Sequence, residues 1–239
     1  MSFSEILLEV IGYITIFVVL FTSYFAAKLI VYLRKFNTTP VIIFMRFMSV
    51  GIILFTIAEI LYLISKGAFP SFADVFYVIG TLFFLFSFVF LYIVQEKKPI
   101  LLKEIVQVIA ALAMVIFVLA YFSSEFLLSD VNSSIIEKIL NFSYPLFSAI
   151  IFLIALLIQT HSYNPSRYIQ YIMSAFFLIF LGDIIFVYTS WTNTVSLVII
   201  IQDTFFLLGY LLLFFGIYLF YLKVKRGMKV SKKKLNLQI

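Results

Sequence analysis

Apolar residues run almost unbroken along seven stretches, 6–33, 41–65, 71–94, 100–122, 135–159, 167–190 and 195–223, and polar clusters separate most of them. At about 1.5 Å of rise per residue, each stretch is long enough to cross a hydrocarbon core of about 30 Å as an α-helix. None shows the ten-residue alternation of apolar and polar positions that a barrel with a wet lumen needs. The pattern therefore predicts an all-α integral membrane protein with seven transmembrane helices. Punctuation agrees: Thr39-Pro40 supplies a cap and a first-turn proline, and Ser71-Phe-Ala-Asp74 matches a helix start. The first run has neither a basic leader nor a clear small-residue cleavage site, so it is expected to be the first helix of the mature protein.

Two of these stretches repeat one another. Asp74, Phe76, Gly80, Leu82, Phe86 and Tyr92 are answered by Asp203, Phe205, Gly209, Leu211, Phe215 and Tyr221. A second acid precedes each copy on the preceding apolar run, Glu59 before the first and Asp183 before the second. The chain therefore reads as a duplicated helical unit, with copies at about 5–95 and 135–222 and a spacer helix at about 100–122. Three helices, a spacer and three more give both units the same sense in the bilayer, a parallel 3+1+3 repeat. Residues 1–222 form the transmembrane domain and 223–239 a basic tail.

Composition adds orientation and removes chemistries. The chain is 64% hydrophobic and 12% charged, with a mean hydropathy of +1.18, too little polar surface to coat a water-soluble globule. Of its 17 lysines and arginines, 15 fall on one side of a seven-helix path and only Lys66 and Lys138 on the other. By the positive-inside rule the N-terminus is outside and the C-terminus cytoplasmic, as expected of a multi-pass protein of the cell membrane. The seven basic residues between Lys223 and Lys234 read as attraction to anionic headgroups, with a protein partner at the cytoplasmic loops and tail as the further expectation; nucleic acid is not expected. The chain has no cysteine and one histidine, His161, which excludes thiolate nucleophiles and histidine-based zinc sites.

The candidate chemistry lies in the repeated acids. A carboxylate inside an apolar helix is costly to keep in hydrocarbon, so its default reading is functional. Glu59, Asp74, Asp183 and Asp203, with Tyr77 and Tyr210, form the candidate ligand-binding site, and Tyr62, Tyr188 and Trp191 are further aromatic lining. Such a set suits a cationic or hydrogen-bonding ligand, or protons. The competing reading is structural: Asp74 as a first-turn acid complementing the helix dipole, the others bonded to Ser, Thr or Tyr to fix packing. Pro145 is expected to kink helix 5 near Tyr144 and Ser148. Asn132 and Asn141 match the glycosylation triplet. A covalent retinal protein is not expected, since helix 7 lacks a lysine between 195 and 222 for a Schiff base, and an enzyme is not expected, since Phe180-Leu181-Gly182 before Asp183 does not match Gly-x-Gly-Asp of two-aspartate intramembrane proteases. No metal site and no cofactor are assigned.

Pro70-Ser-x-Ala-Asp74-x-x-Tyr77-x-x-Gly80 resembles the motif of the multi-helix membrane sensor regions that often precede bacterial diguanylate cyclase (GGDEF) and phosphodiesterase (EAL) domains. The likeness extends to Tyr144-Pro145-Leu146, Leu181-Gly-Asp183 and Asp203-x-x-x-Leu-Leu-Gly209-Tyr, and covers about Glu59 to Tyr221. Where that family commonly has Gly-Asp after Tyr-Pro-Leu, this chain has Phe147-Ser148, and a short basic tail stands where an output domain would follow. The resemblance implies a non-enzymatic sensor or receptor-like module that binds a small molecule and signals through another chain. Two further readings stay open: a small-solute or proton-coupled transporter similar in plan to SWEET-type sugar transporters, and a structural subunit of a membrane complex.

Overall fold

The computed structural model describes residues 3–35, 39–65, 69–94, 101–122, 124, 134–161, 166–191 and 196–236. They form seven α-helices: α1 (Phe3–Leu33), α2 (Pro40–Ile64), α3 (Phe72–Val94), α4 (Leu102–Phe122), α5 (Ile135–His161), α6 (Arg167–Trp191) and α7 (Ser196–Asn236). All seven are long and apolar enough to span a bilayer, making this a multi-pass membrane protein. Expected and observed bounds agree to within a few residues except at the C-terminal end. There α7 continues well past Lys223, because the following residues include a single glycine, Gly227, and no proline to stop it. The basic tail is thus the last turns of a helix over most of its length.

Local chemistry fixes where several helices begin. Thr39 Oγ1 accepts from the Ile42 N–H at 3.4 Å, with Pro40 in the first turn. At α3, Ser71 Oγ accepts from the Ala73 N–H at 3.2 Å while the Asp74 carboxylate accepts from the Ser71 N–H, a reciprocal capping box. Ser134 and Glu137 do the same for α5, at 3.2 and 2.8 Å. The end of α1 is finished from outside: Arg46 on α2 donates to the Leu33 carbonyl at 2.7 Å. Pro145 lies buried inside α5, and the helix runs through it.

Six helices close a ring in the order α1, α2, α3, α5, α6, α7 and back to α1, while α4 stands outside it, packed chiefly on α5. Lipid-compatible side chains such as Ile109, Ile116 and Phe117 cover most of α4, and its one buried apolar side chain among the described residues is Val115, against Ala149 and Phe180. α2 packs on α3, and α6 on α7, through small residues that let the backbones approach. A Cβ on Gly80 would meet the Gly51 carbonyl at 3.2 Å, and one on Gly209 would meet the Ala175 carbonyl at 3.3 Å. Further along, Ser87 Oγ donates to the Phe44 carbonyl at 2.9 Å, and Gly216 sits over the Tyr168 carbonyl, which an added Cβ would meet at 3.0 Å.

The hydrophobic core fills one half of the ring, from Phe84 and Phe176 near its middle to Leu33, Leu91 and Tyr221. His161 belongs to that end: its ring faces Tyr92 at 5.8 Å and its Nδ1 lies 2.7 Å from the Leu157 carbonyl. Asn141, one of the two glycosylation matches, is buried within α5 and out of reach of a glycan. The other match at Asn132, Lys66, the acids Glu125 and Asp130, and the turn at 96–99 lie outside the described residues.

Candidate functional site

The other half of the ring is hollow. A cavity of about 440 Å³ lies between the helices and takes side chains from all six of them. It occupies the end where α1, α3, α5 and α7 begin and α2 and α6 finish. Each predicted site residue, Glu59, Asp74, Tyr77, Asp183, Asp203 and Tyr210, lines it. Their meeting requires α2, α3, α6 and α7 to be rotated toward one axis, which the two helix crossings impose.

The carboxylates are held in different ways. Glu59 accepts from the Tyr210 hydroxyl at 2.6 Å, a bond that ties α2 to α7 across the ring, and the Tyr77 hydroxyl addresses the same carboxylate. Asp74 is buried, and the Tyr144 hydroxyl of α5 donates to the oxygen that the cap leaves over. Asp74 thus caps α3 with one oxygen and ties it to α5 with the other, while also lining the cavity. Ser148 of α5 donates to Asp183. Asp203 is two turns into α7. Its described partner is the neighbouring Gln202 amide at 3.3 Å, and that amide oxygen is itself taken by the Thr189 hydroxyl at 2.6 Å.

Aromatic rings make the walls and the floor. Phe55, Tyr77, Phe186, Phe206 and Tyr210 stand around the acids. Phe84 and Phe176 meet edge to face at 5.0 Å and close the cavity toward the core, with Phe55 at 4.9 Å and Phe88 at 5.2 Å from one or the other ring. Among the described lining residues there is no lysine, arginine or histidine. Among the described residues there is also no group of three or more acids and histidines arranged to hold a metal ion. Sequence reasoning missed Glu9, an exposed acid at the rim on α1, because it lies near a helix end where acids are ordinary. It also missed the floor. Tyr188, expected as lining, instead stands 41% exposed on the outside of α6, and the Trp191 side chain lies outside the described residues.

No protein-family model, curated protein or solved structure matches the chain. The case for function rests on the site.

The site has the attributes of a small-molecule pocket: concave, within the usual volume range, mostly apolar, with a few convergent polar groups. The hydroxyls of Tyr210, Tyr144 and Ser148 and the Gln202 amide point at its carboxylates, while those of Thr15 and Thr81 turn back to their own helices' carbonyls.

Proposed function

We propose that this is a membrane sensor or receptor-like module that binds a small ligand in the acidic, aromatic cavity and passes the resulting shift in helix packing to a partner protein at the opposite, basic end. One observation carries the reading: acids contributed by α2, α3, α6 and α7, far apart in sequence, line a single cavity closed by Phe84 and Phe176. Occupancy acts on packing because Glu59–Tyr210 and Asp74–Tyr144 are bonds between helices, so a ligand competing for these carboxylates changes how the helices are joined. The resemblance to sensor regions preceding cyclase and phosphodiesterase domains agrees with this role, and Ser148 there takes the place of the family's acid as a donor to Asp183. The asymmetry of lysine and arginine supports a cavity at the outer face and α7's basic turns at the cytoplasmic face of the cell membrane.

A parallel duplication accounts for the ring. Asp74, Gly80 and Ser87 each lie 129 residues before Asp203, Gly209 and Gly216, while Phe44, Gly51 and Glu59 each lie 124 before Tyr168, Ala175 and Asp183. These include the residues at both helix crossings as well as the acids. Two three-helix units around a central cavity, with a spacer helix outside, also favour a second reading, a transporter of 3+1+3 plan. The closed floor sets it behind the first.

The deciding experiment extracts and mass-analyses small molecules that copurify with the wild-type protein and with an Asp183→Asn/Asp203→Asn variant of equal thermal stability. A compound retained by the wild type and lost from the variant is expected. If both preparations carry the same compounds or none, the binding-site reading fails. Wild-type proteoliposomes that move such a compound across a sealed bilayer would instead favour the transporter.

A further inference from the structure

Three features of the cavity bear on what it binds. Its charge is of one sign: Glu9, Glu59, Asp74, Asp183 and Asp203 line it, and no described lining residue is cationic. Three of the five carboxylates already accept from hydroxyls of Tyr210, Tyr144 and Ser148, so the protein answers much of its own polarity. Glu9 and Asp203 are the other two, and of these Glu9 is exposed at the rim while Asp203 lies deeper. Its single described bond is the 3.3 Å contact to Gln202, made through Oδ1, and the residue is only half-buried, so the rest of its carboxylate faces the cavity. Phe206, Tyr62, Phe55 and Tyr77 line the same cavity.

An anion meets carboxylates of like charge here, and a neutral ligand leaves the Asp203 carboxylate without a counter-charge in a mostly apolar, ring-lined space. A divalent metal ion lacks the grouped ligands it needs among the described residues. A cation with an apolar body satisfies both halves of the wall at once, since ammonium groups are attracted to carboxylates and to aromatic faces alike.

We propose that the cavity is selective for a monovalent organic cation, an amine with an apolar or aromatic body, whose ammonium group pairs with Asp203 while its body lies along the aromatic wall above Phe84 and Phe176. This rests on the small-ligand reading of the cavity and narrows it to one chemical class. Glu59 and Asp74, already bonded to tyrosines, hold the walls in place around that cation.

The test measures binding of three matched probes, 2-phenylethylamine, 2-phenylethanol and 3-phenylpropionate, to the full chain in lipid nanodiscs by calorimetry. The amine is expected to bind at least tenfold more tightly than the alcohol, with no detectable binding of the carboxylate. Asp203→Asn is expected to abolish that preference and Asp203→Glu to restore it, both at wild-type thermal stability. If Asp203→Asn unfolds, the Asp203→Glu protein and the wild-type probe ranking still decide. Equal binding of amine and alcohol, or tighter binding of the carboxylate, overturns the cation assignment and leaves a ligand site of another class. If none of the three binds, the assignment falls, and the copurification experiment then says separately whether any ligand site remains.

Discussion

The helix pairs α2/α3 and α6/α7 cross in the same way and treat their acids differently. In each pair one crossing sets a glycine of the second helix against a small residue of the first, Gly80 on Gly51 and Gly209 on Ala175. A second crossing, further along, sets a small residue over a backbone carbonyl, Ser87 over Phe44 and Gly216 over Tyr168. The acids of the first pair are each held by a tyrosine from α5 or α7, whereas those of the second have only Ser148 and a neighbouring amide. Backbone approach tolerates few side chains, so the crossings stay alike. The face toward the cavity is under no such constraint and differs between the two pairs, one side braced and the other open.

Breaking the shared part should have the largest effect. Gly80→Val and Gly209→Val each force bulk against a facing carbonyl and a packed side chain, and each is expected to lower stability by about 3 kcal/mol in detergent unfolding. A loss at one site with tolerance at the other would show that the two crossings are not equivalent. The braced side comes next. Tyr210→Phe removes the 2.6 Å donor from Glu59 and is expected to cost about 1–2 kcal/mol, and a double-mutant cycle with Glu59→Gln should return positive coupling. Additive single mutants would deny that bond a part in joining α2 to α7. Tyr144→Phe should cost less, about 1 kcal/mol, because the Ser71 N–H still bonds Asp74. Smallest of all on stability is Asp203→Asn, expected within about 0.5 kcal/mol of wild type because so little of the protein leans on that carboxylate. A large loss there would move Asp203 from the open side to the braced one.

Much of this was legible in the chain, for identifiable reasons. Seven helices follow from seven apolar runs, since a bilayer demands about the same length of each. The acids stood out because hydrocarbon makes them costly, and Gly80 and Gly209 because they recur in register with Asp74 and Asp203. What the sequence did not reveal depends on helix rotation. Tyr188 and Tyr210 read alike as tyrosines in apolar helices, yet one faces outward and the other reaches Glu59. Phe84 and Phe176 were lost among 31 phenylalanines, because nothing local separates a ring that meets lipid from one that closes a cavity.

That pair of rings also sets a clock. Phe84 is fully buried, and its edge lies so close to Gly51 that a Cβ built there would meet it at 2.5 Å, with Phe55 and Phe176 packed on its other sides. An exposed side chain changes rotamer in picoseconds to nanoseconds, but this ring is hemmed in by Gly51, Phe55 and Phe176 and meets open space on the cavity side. Opening a way from the cavity into the core therefore calls for α2, α3 and α6 to shift together, a motion of microseconds to milliseconds.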